Sequence, residues 1–165
     1  MQRILNKVVT TKAGTFDLTL TLEQYIKQLE DNGVSYTIKQ KENGETWVTL
    51  GDYKNLNADS CVVYKNNEII SIDFCLNNIE YFELSDGTRY SCEQYKELMK
   101  EHTENIKYCY KNGEYIEQSE ALKGCTWRDC EMCKNGGYEE FIITDKELGY
   151  RFEFDHAFSY ITKLN

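Results

Sequence analysis

The chain of 165 residues is long enough for one compact domain, or for two small halves that share a core. Hydrophobic residues make up 41% of it, including 13 tyrosines and 7 phenylalanines, which argues against intrinsic disorder. The longest apolar runs are far too short for a membrane span, and the N-terminal stretch lacks the apolar core of a signal peptide. We therefore expect a cytoplasmic protein with reduced thiols and no contact with a membrane.

The net charge of −9 is unevenly distributed. Residues 1–78 carry 8 basic and 10 acidic side chains, whereas residues 79–165 carry 11 and 18. Because an acidic surface repels phosphate backbones, we do not expect the protein to grip nucleic acid directly. The charge favours a protein partner with a basic surface, although an acidic surface also serves solubility alone.

The first half contains one predicted helix between strand patterns. Strand-like residues 15–20 come before the helix, and Thr21 and Gln24 have the spacing of a capping box. Apolar residues then recur at helical spacing. An alternating run at 34–40 leads to the Asn-Gly-Glu sequence at 43–45, which predicts a hairpin turn.

The second half repeats these features in the same order. Residues 79–84 form a strand pattern, and Ser91 and Gln94 have the spacing of a second capping box. The alternating run at 105–111 again ends at Asn-Gly-Glu, here at 112–114. This repeated pattern predicts a second helix and a second hairpin.

A further hairpin closes each half. Residues 61–74 align without gaps on residues 141–154, and both segments end in an acidic residue followed by Phe. We predict an α+β fold of two similar β-α-β-β-β-β halves, 1–78 and 79–165, with mainly antiparallel sheet and one helix per half. The halves form either two small domains or one domain with a shared core, and the order of matching segments favours a tandem duplication. The alternative is that α+β proteins reuse similar parts.

The second half carries an insertion near 118–138 that contains a cysteine-rich loop. Cys125, Cys130 and Cys133 form the pattern C-x4-C-x2-C, and the last two have the spacing of a zinc half-site. The bulky, charged residues between the first two cysteines argue against an iron–sulfur cluster. The glycines that follow Cys133 argue against a redox motif at a helix start.

The fourth ligand of a zinc site must come from elsewhere in the chain. Transferring the register of the first closing hairpin to the second puts His156 opposite Gly137, at the mouth of the loop. Cys109, on a neighbouring predicted strand, is the alternative fourth ligand. Zinc held by four protein ligands would be structural, since no position is left for a reactive water. Free thiols in a surface loop are the other interpretation, and no cofactor is required.

The sequence contains no combination of residues typical of a catalytic site. His102 lies near the end of the second helix, where a capping role is favoured over catalysis. His156 follows Asp155, but neighbours on a strand point to opposite faces and do not pair. Phosphate-binding loops, nucleophile elbows and metalloprotease helices are absent from the sequence. We therefore predict a protein that is not an enzyme.

Partner binding is the function that the sequence favours. Trp127 and Arg128 in the inserted loop, with Glu139 and Glu140 beside it, are the candidate contact residues. We predict a non-catalytic inhibitor that binds the basic surface of a nucleic-acid-handling protein, as phage or mobile-element anti-defence proteins such as anti-CRISPRs do. The alternatives are an accessory zinc protein in a larger complex and a cysteine-dependent enzyme. The sequence does not determine the oligomeric state.

Overall fold

The computed structural model describes residues 2–10, 14–51, 60–75, 79–111, 114–117, 138–154 and 158–165. Over these residues the protein is of mixed α+β type, and every strand pair is antiparallel. Within the described residues, each half of the chain contains one α-helix. The predicted fold class is confirmed at this level.

The helices are α1 (Leu22–Asp31) and α2 (Cys92–Leu98), and α2 continues into a 3-10 turn at Lys100–His102. The strands of the first half are β1 (Leu5–Thr10), β2 (Thr15–Asp17), β3 (Tyr36–Gln40), β4 (Thr46–Leu50), β5 (Ser60–Lys65) and β6 (Glu68–Cys75). Those of the second half are β7 (Ile79–Leu84), β8 (Arg89–Tyr90), β9 (Thr103–Lys111), β10 (Glu114–Glu117), β11 (Tyr138–Asp145), β12 (Tyr150–Phe154) and β13 (Phe158–Lys163).

The strands form one small sheet and one large sheet. The small sheet has the order β2-β1-β7-β8, so the first strands of the two halves pair at its centre. The large sheet has nine strands in the order β10-β9-β11-β12-β13-β6-β5-β4-β3. Pairing of β13 with β6 joins the two halves in this sheet.

Both helices begin at the predicted capping boxes. The Thr21 hydroxyl accepts a hydrogen bond from the backbone N–H of Gln24, and the Gln24 side chain accepts one from the backbone N–H of Thr21. Ser91 and Gln94 form the same pair of hydrogen bonds. Residues 21–30 and 91–100 also have the same sequence of buried, half-buried and exposed positions. Sequence therefore determined both helix starts, because each capping box satisfies two otherwise unpaired backbone donors.

The helices and the small sheet pack against one face of the large sheet. The ring of Phe152 in β12 contacts those of Phe82 in β7 and Tyr95 in α2, at centroid distances of 5.2 and 5.1 Å. In the other half, Phe16 of β2 stacks on Phe74 of β6 at 5.7 Å. The described core residues form one cluster to which both halves contribute.

The structure contains three strands that the predicted pattern lacks, β1, β8 and β13, and it shortens one predicted strand. The first predicted strand, 15–20, is limited to β2, and β1 comes before it. Two register shifts interrupt the pairing of β1 with β7, so β1 lacks the regular alternation of a strand. β13 also escaped prediction, because one of its buried positions is Ser159 instead of an apolar residue.

The strand order of the large sheet differs between the halves. β4 lies between β3 and β5, whereas β9 pairs with both β10 and β11 and leaves β10 outside. The likeness of the halves thus covers the helices and the small sheet, and it does not extend to this part of the large sheet.

A buried ion pair joins three distant segments. The Asp145 carboxylate, 1% exposed, lies 3.0 Å from the guanidinium Nη2 of Arg3 and accepts from the Tyr95 hydroxyl at 3.1 Å. It also accepts from the backbone N–H groups of Glu147 and Leu148 at 3.1 Å each, which shapes the β11–β12 turn. Burial and the neighbouring Asp145 raise the pKa of Tyr95, so its hydroxyl stays protonated and keeps donating.

Replacement of this carboxylate should be strongly destabilising. We expect Asp145→Ala to lower the free energy of unfolding by about 3 kcal/mol, because Arg3 loses its buried partner and Tyr95 loses its acceptor. Tyr95→Phe removes one hydrogen bond and should cost about 1 kcal/mol. Urea unfolding measures both values, and Glu147→Gln, a change at an exposed ion pair, is the control that should change little. Equal losses in all three variants would contradict a special role for Asp145.

Candidate functional site

The predicted metal-binding loop lies outside the part of the chain that the structure describes. The residues concerned are Cys125, Cys130, Cys133 and His156, together with the predicted contact residues Trp127 and Arg128. Their roles stay predictions. Among the residues that are described, no group of three or more His, Cys, Asp and Glu side chains could hold a metal ion.

The strands beside this loop bring its two ends close together. Glu117 at the end of β10 and Tyr138 at the start of β11 both lie opposite Tyr108, on either side of β9. Because neighbouring strands are about 4.8 Å apart, the chain leaves and returns across about 10 Å. Cys109 follows Tyr108 in β9, so its backbone lies at the base of the loop. The role of Cys109 as the alternative fourth ligand stays a prediction.

The register of the second closing hairpin differs from the one used to place His156. Phe141 pairs with Phe154 and Asp145 with Tyr150, whereas a register with His156 opposite Gly137 would pair Phe141 with Phe152. The two hairpins have different turns: Asn66 and Asn67 form the first, and residues 146–149 form the second. A bulge after Val63 shifts the first hairpin further. Register therefore does not transfer between the hairpins.

A row of acidic side chains crosses the outer face of the large sheet, the face turned away from the core. Cross-strand pairs connect Glu104, Ile142, Glu153, Tyr160 and Asp73 in β9, β11, β12, β13 and β6. We call Glu104, Glu153 and Asp73 the acidic row. Paired residues lie on the same face, and alternate strands separate the three carboxylates by about 10 Å.

The acidic row is most accessible at its β9 end. Glu104 is exposed, whereas Glu153 and Asp73 are half-buried. Beyond Asp73 the row reaches Cys61 of β5, which is fully buried. Ile142, between Glu104 and Glu153, is 7% exposed, so Glu104 is the one exposed carboxylate of the row. It belongs to the second half of the chain, which also carries most of the net charge.

Burial and charge repulsion act on the acidic row. Burial, with a smaller contribution from Glu153, raises the pKa of Asp73 to about 6. Glu153 is itself 2.6 Å from a guanidinium nitrogen of Arg151. The three carboxylates of the row thus outnumber this one described cation.

The predicted contact residues Glu139 and Glu140 lie on β11. This strand is two strands away from β13, which carries Tyr160. Glu140 pairs with Ile106, is half-buried, and lies on the outer face with Ile142. The structure describes only the backbone of Glu139, which lies opposite Lys107. Glu140 therefore adjoins the acidic row, while the contact role of Glu139 stays a prediction.

Sequence reasoning did not identify the acidic row as a unit. Its residues belong to three strands that are far apart in the chain, so no local motif contains them. One signal was present: both closing hairpins end in an acidic residue followed by Phe, at Asp73–Phe74 and Glu153–Phe154. The phenylalanines enter the core and leave the carboxylates on the outer face.

A second candidate is a cavity of about 470 Å³ beside the ion pair of Arg3 and Asp145. His102 is exposed at its wall. Both Asp145 oxygens already accept hydrogen bonds, and Arg3 Nε and Nη2 donate to Glu147 and Asp145. This geometry stabilises the fold and leaves the carboxylate unavailable as a general base.

Comparison with protein families, with curated proteins and with solved structures found no match to the chain. Neither described helix has the length and apolar character that crossing a bilayer requires.

The raised pKa of Asp73 predicts a pH-dependent stability. The unfolded state ionises near 3.8 and the folded state near 6, so folding loses stability as pH rises through this interval. Asp73→Asn removes that loss, and we expect it to raise the free energy of unfolding at pH 7.5 by at most about 3 kcal/mol. The difference from the parent protein should disappear below pH 3.8.

Urea unfolding across this pH range is the measurement. Asp86→Asn is a matched control of opposite sign, because a backbone hydrogen bond from Thr88 lowers the pKa of Asp86. A gain at Asp73 that is independent of pH would show that packing, and not ionisation, is responsible.

Proposed function

We propose that this protein is a small acidic binding protein, not an enzyme, that engages a basic surface of a protein that handles nucleic acid. The observation that supports it is the acidic row, whose exposed end lies in the more acidic half of the chain. A lysine or arginine side chain of a partner would find the exposed Glu104 there, with Glu140 nearby on the same face. Such attraction steers association and falls with salt.

Inhibition of a defence nuclease is the form of this function that we propose. Nucleic-acid-binding grooves are basic because they neutralise phosphates, and an acidic protein competes for the same charges. The net charge of −9 is compatible with such competition. A phage or mobile-element protein of the anti-CRISPR kind would act in this way, inside the cell that contains its target.

Partner capture tests this proposal. The tagged protein should retain a basic, nucleic-acid-handling partner from a host lysate at about 50 mM salt and lose most of it at about 500 mM. Mass spectrometry identifies the retained proteins. Capture that does not change with salt would contradict an electrostatic partner.

Charge reversal locates the contact. Glu104→Lys and Glu140→Lys should each weaken binding to the captured partner about tenfold, since both act on the accessible outer face. Glu80→Lys is the matched control for Glu104→Lys, because Glu80 is also an exposed glutamate but belongs to the small sheet. Equal weakening by all three variants would show that net charge alone drives binding.

A zinc-binding accessory role is the second candidate, and the position of Cys109 at the base of the cysteine loop favours it. Under this hypothesis the purified protein contains about one structural zinc per chain, and chelation lowers its melting temperature. Cys130→Ser should remove the metal. A metal-free protein that folds equally well with and without chelator would overturn this candidate.

We further propose that the two halves arose by tandem duplication. The two capping boxes, the matching burial of residues 21–30 and 91–100, and the pairing of β1 with β7 support it. The cysteine-rich loop would then be an insertion in the second copy alone.

A further inference from the structure

β3 is an edge of the large sheet that is suited to pairing with another strand. Among the described strands it pairs with β4 alone, over five consecutive residue pairs without a bulge. Residues 37–40 are exposed, and Ile38 is 45% exposed. Ile38 and the nearby Val34 are two of the four large apolar side chains that are exposed in the described chain.

The hairpin geometry shows which backbone groups of β3 face outward. Lys41 N–H donates to Glu45 C=O at 2.8 Å, so these opposed residues form a hydrogen-bonded pair. Hydrogen-bonded and non-hydrogen-bonded pairs alternate along an antiparallel ladder. Ile38 and its partner Val48 therefore form a non-hydrogen-bonded pair, and the N–H and C=O of Ile38 point away from β4. The same holds for Tyr36 and Gln40.

Two copies of β3 are complementary when they run antiparallel with Ile38 opposite Ile38. All five residues are then paired, Tyr36 faces Gln40 of the second copy, and Lys39 faces Thr37. The outward groups of Tyr36, Ile38 and Gln40 meet in about six backbone hydrogen bonds. Centring the pair on Lys39 instead would oppose two lysines, which is unfavourable.

This register also extends the hydrophobic core across the contact. Ile38 lies on the same face as Val48, which is fully buried. The second Ile38 would cover the exposed side of the first and continue the row from one core to the other. Burial of two half-exposed isoleucines adds a hydrophobic contribution to the backbone bonds.

We propose that two copies of this chain associate through β3, with their large sheets joined edge to edge about a two-fold axis at Ile38. The interface is small, so the dimer forms reversibly at high protein concentration. Each chain carries a charge of −9, so salt reduces the repulsion between copies and strengthens the dimer. This response is opposite to the salt response of a basic partner, and the two associations can be separated by it.

Analytical ultracentrifugation of the full chain tests the proposal. At about 10 to 500 µM protein, the average mass should rise toward twice that of one chain, and more so at about 500 mM salt. Ile38→Pro removes the outward-facing N–H of residue 38 and breaks no hydrogen bond to β4. Ile38→Lys puts two like charges opposite each other, one from each copy. Each should raise the dissociation constant at least tenfold.

Leu98→Lys is the matched control, because Leu98 is also an exposed apolar residue, 51% exposed, on α2 instead of β3. It should dimerise like the parent protein. Circular dichroism establishes that each variant is folded. The two Ile38 changes act differently, because one removes a backbone donor and the other adds a charge. A parent protein that stays monomeric at every concentration and salt, or a dimer that both folded Ile38 variants retain, would overturn the proposal.

Discussion

The buried carboxylate of Asp145 is the interaction on which the arrangement of the second half depends. It binds Arg3 from the N-terminal segment, Tyr95 from α2 and the backbone of the β11–β12 turn. These three segments are far apart in the sequence. An ionised carboxylate is costly to bury, and its removal from water is tolerated because both oxygens are hydrogen-bonded. The cluster therefore joins α2, the β11–β12 turn and the segment that precedes β1.

The two faces of the large sheet have different environments. The inner face receives α1, α2 and the small sheet, and its aromatic contacts between Phe152, Phe82 and Tyr95 close the core. Strand alternation then forces the intervening side chains outward. Because Phe154 and Phe74 point into the core, their neighbours Glu153 and Asp73 point to the outer face. The position of the acidic row therefore follows from the packing of the core.

The two proposed associations use different parts of this sheet and different forces. The acidic row is formed by side chains of β9, β12 and β6 and is the basis of the proposed attraction to a basic partner. The β3 edge offers backbone groups and Ile38, so it favours a second copy through hydrogen bonds and apolar contact. Salt screens the attraction to a basic partner and also the repulsion between two copies, so it should weaken the first association and strengthen the second. The two associations can therefore be distinguished by their salt dependence.

Sequence alone determined several local elements: the capping boxes at Thr21 and Ser91 predicted both helix starts, and strand patterns predicted β3, β7 and β9. It did not determine β1, whose register shifts hide its periodicity, or the hairpin register, which depends on turn length and a bulge. The acidic row and the Asp145 cluster were decided by tertiary structure alone. Their members are distant in the chain, and only strand pairing and helix packing, which no local pattern encodes, bring them together.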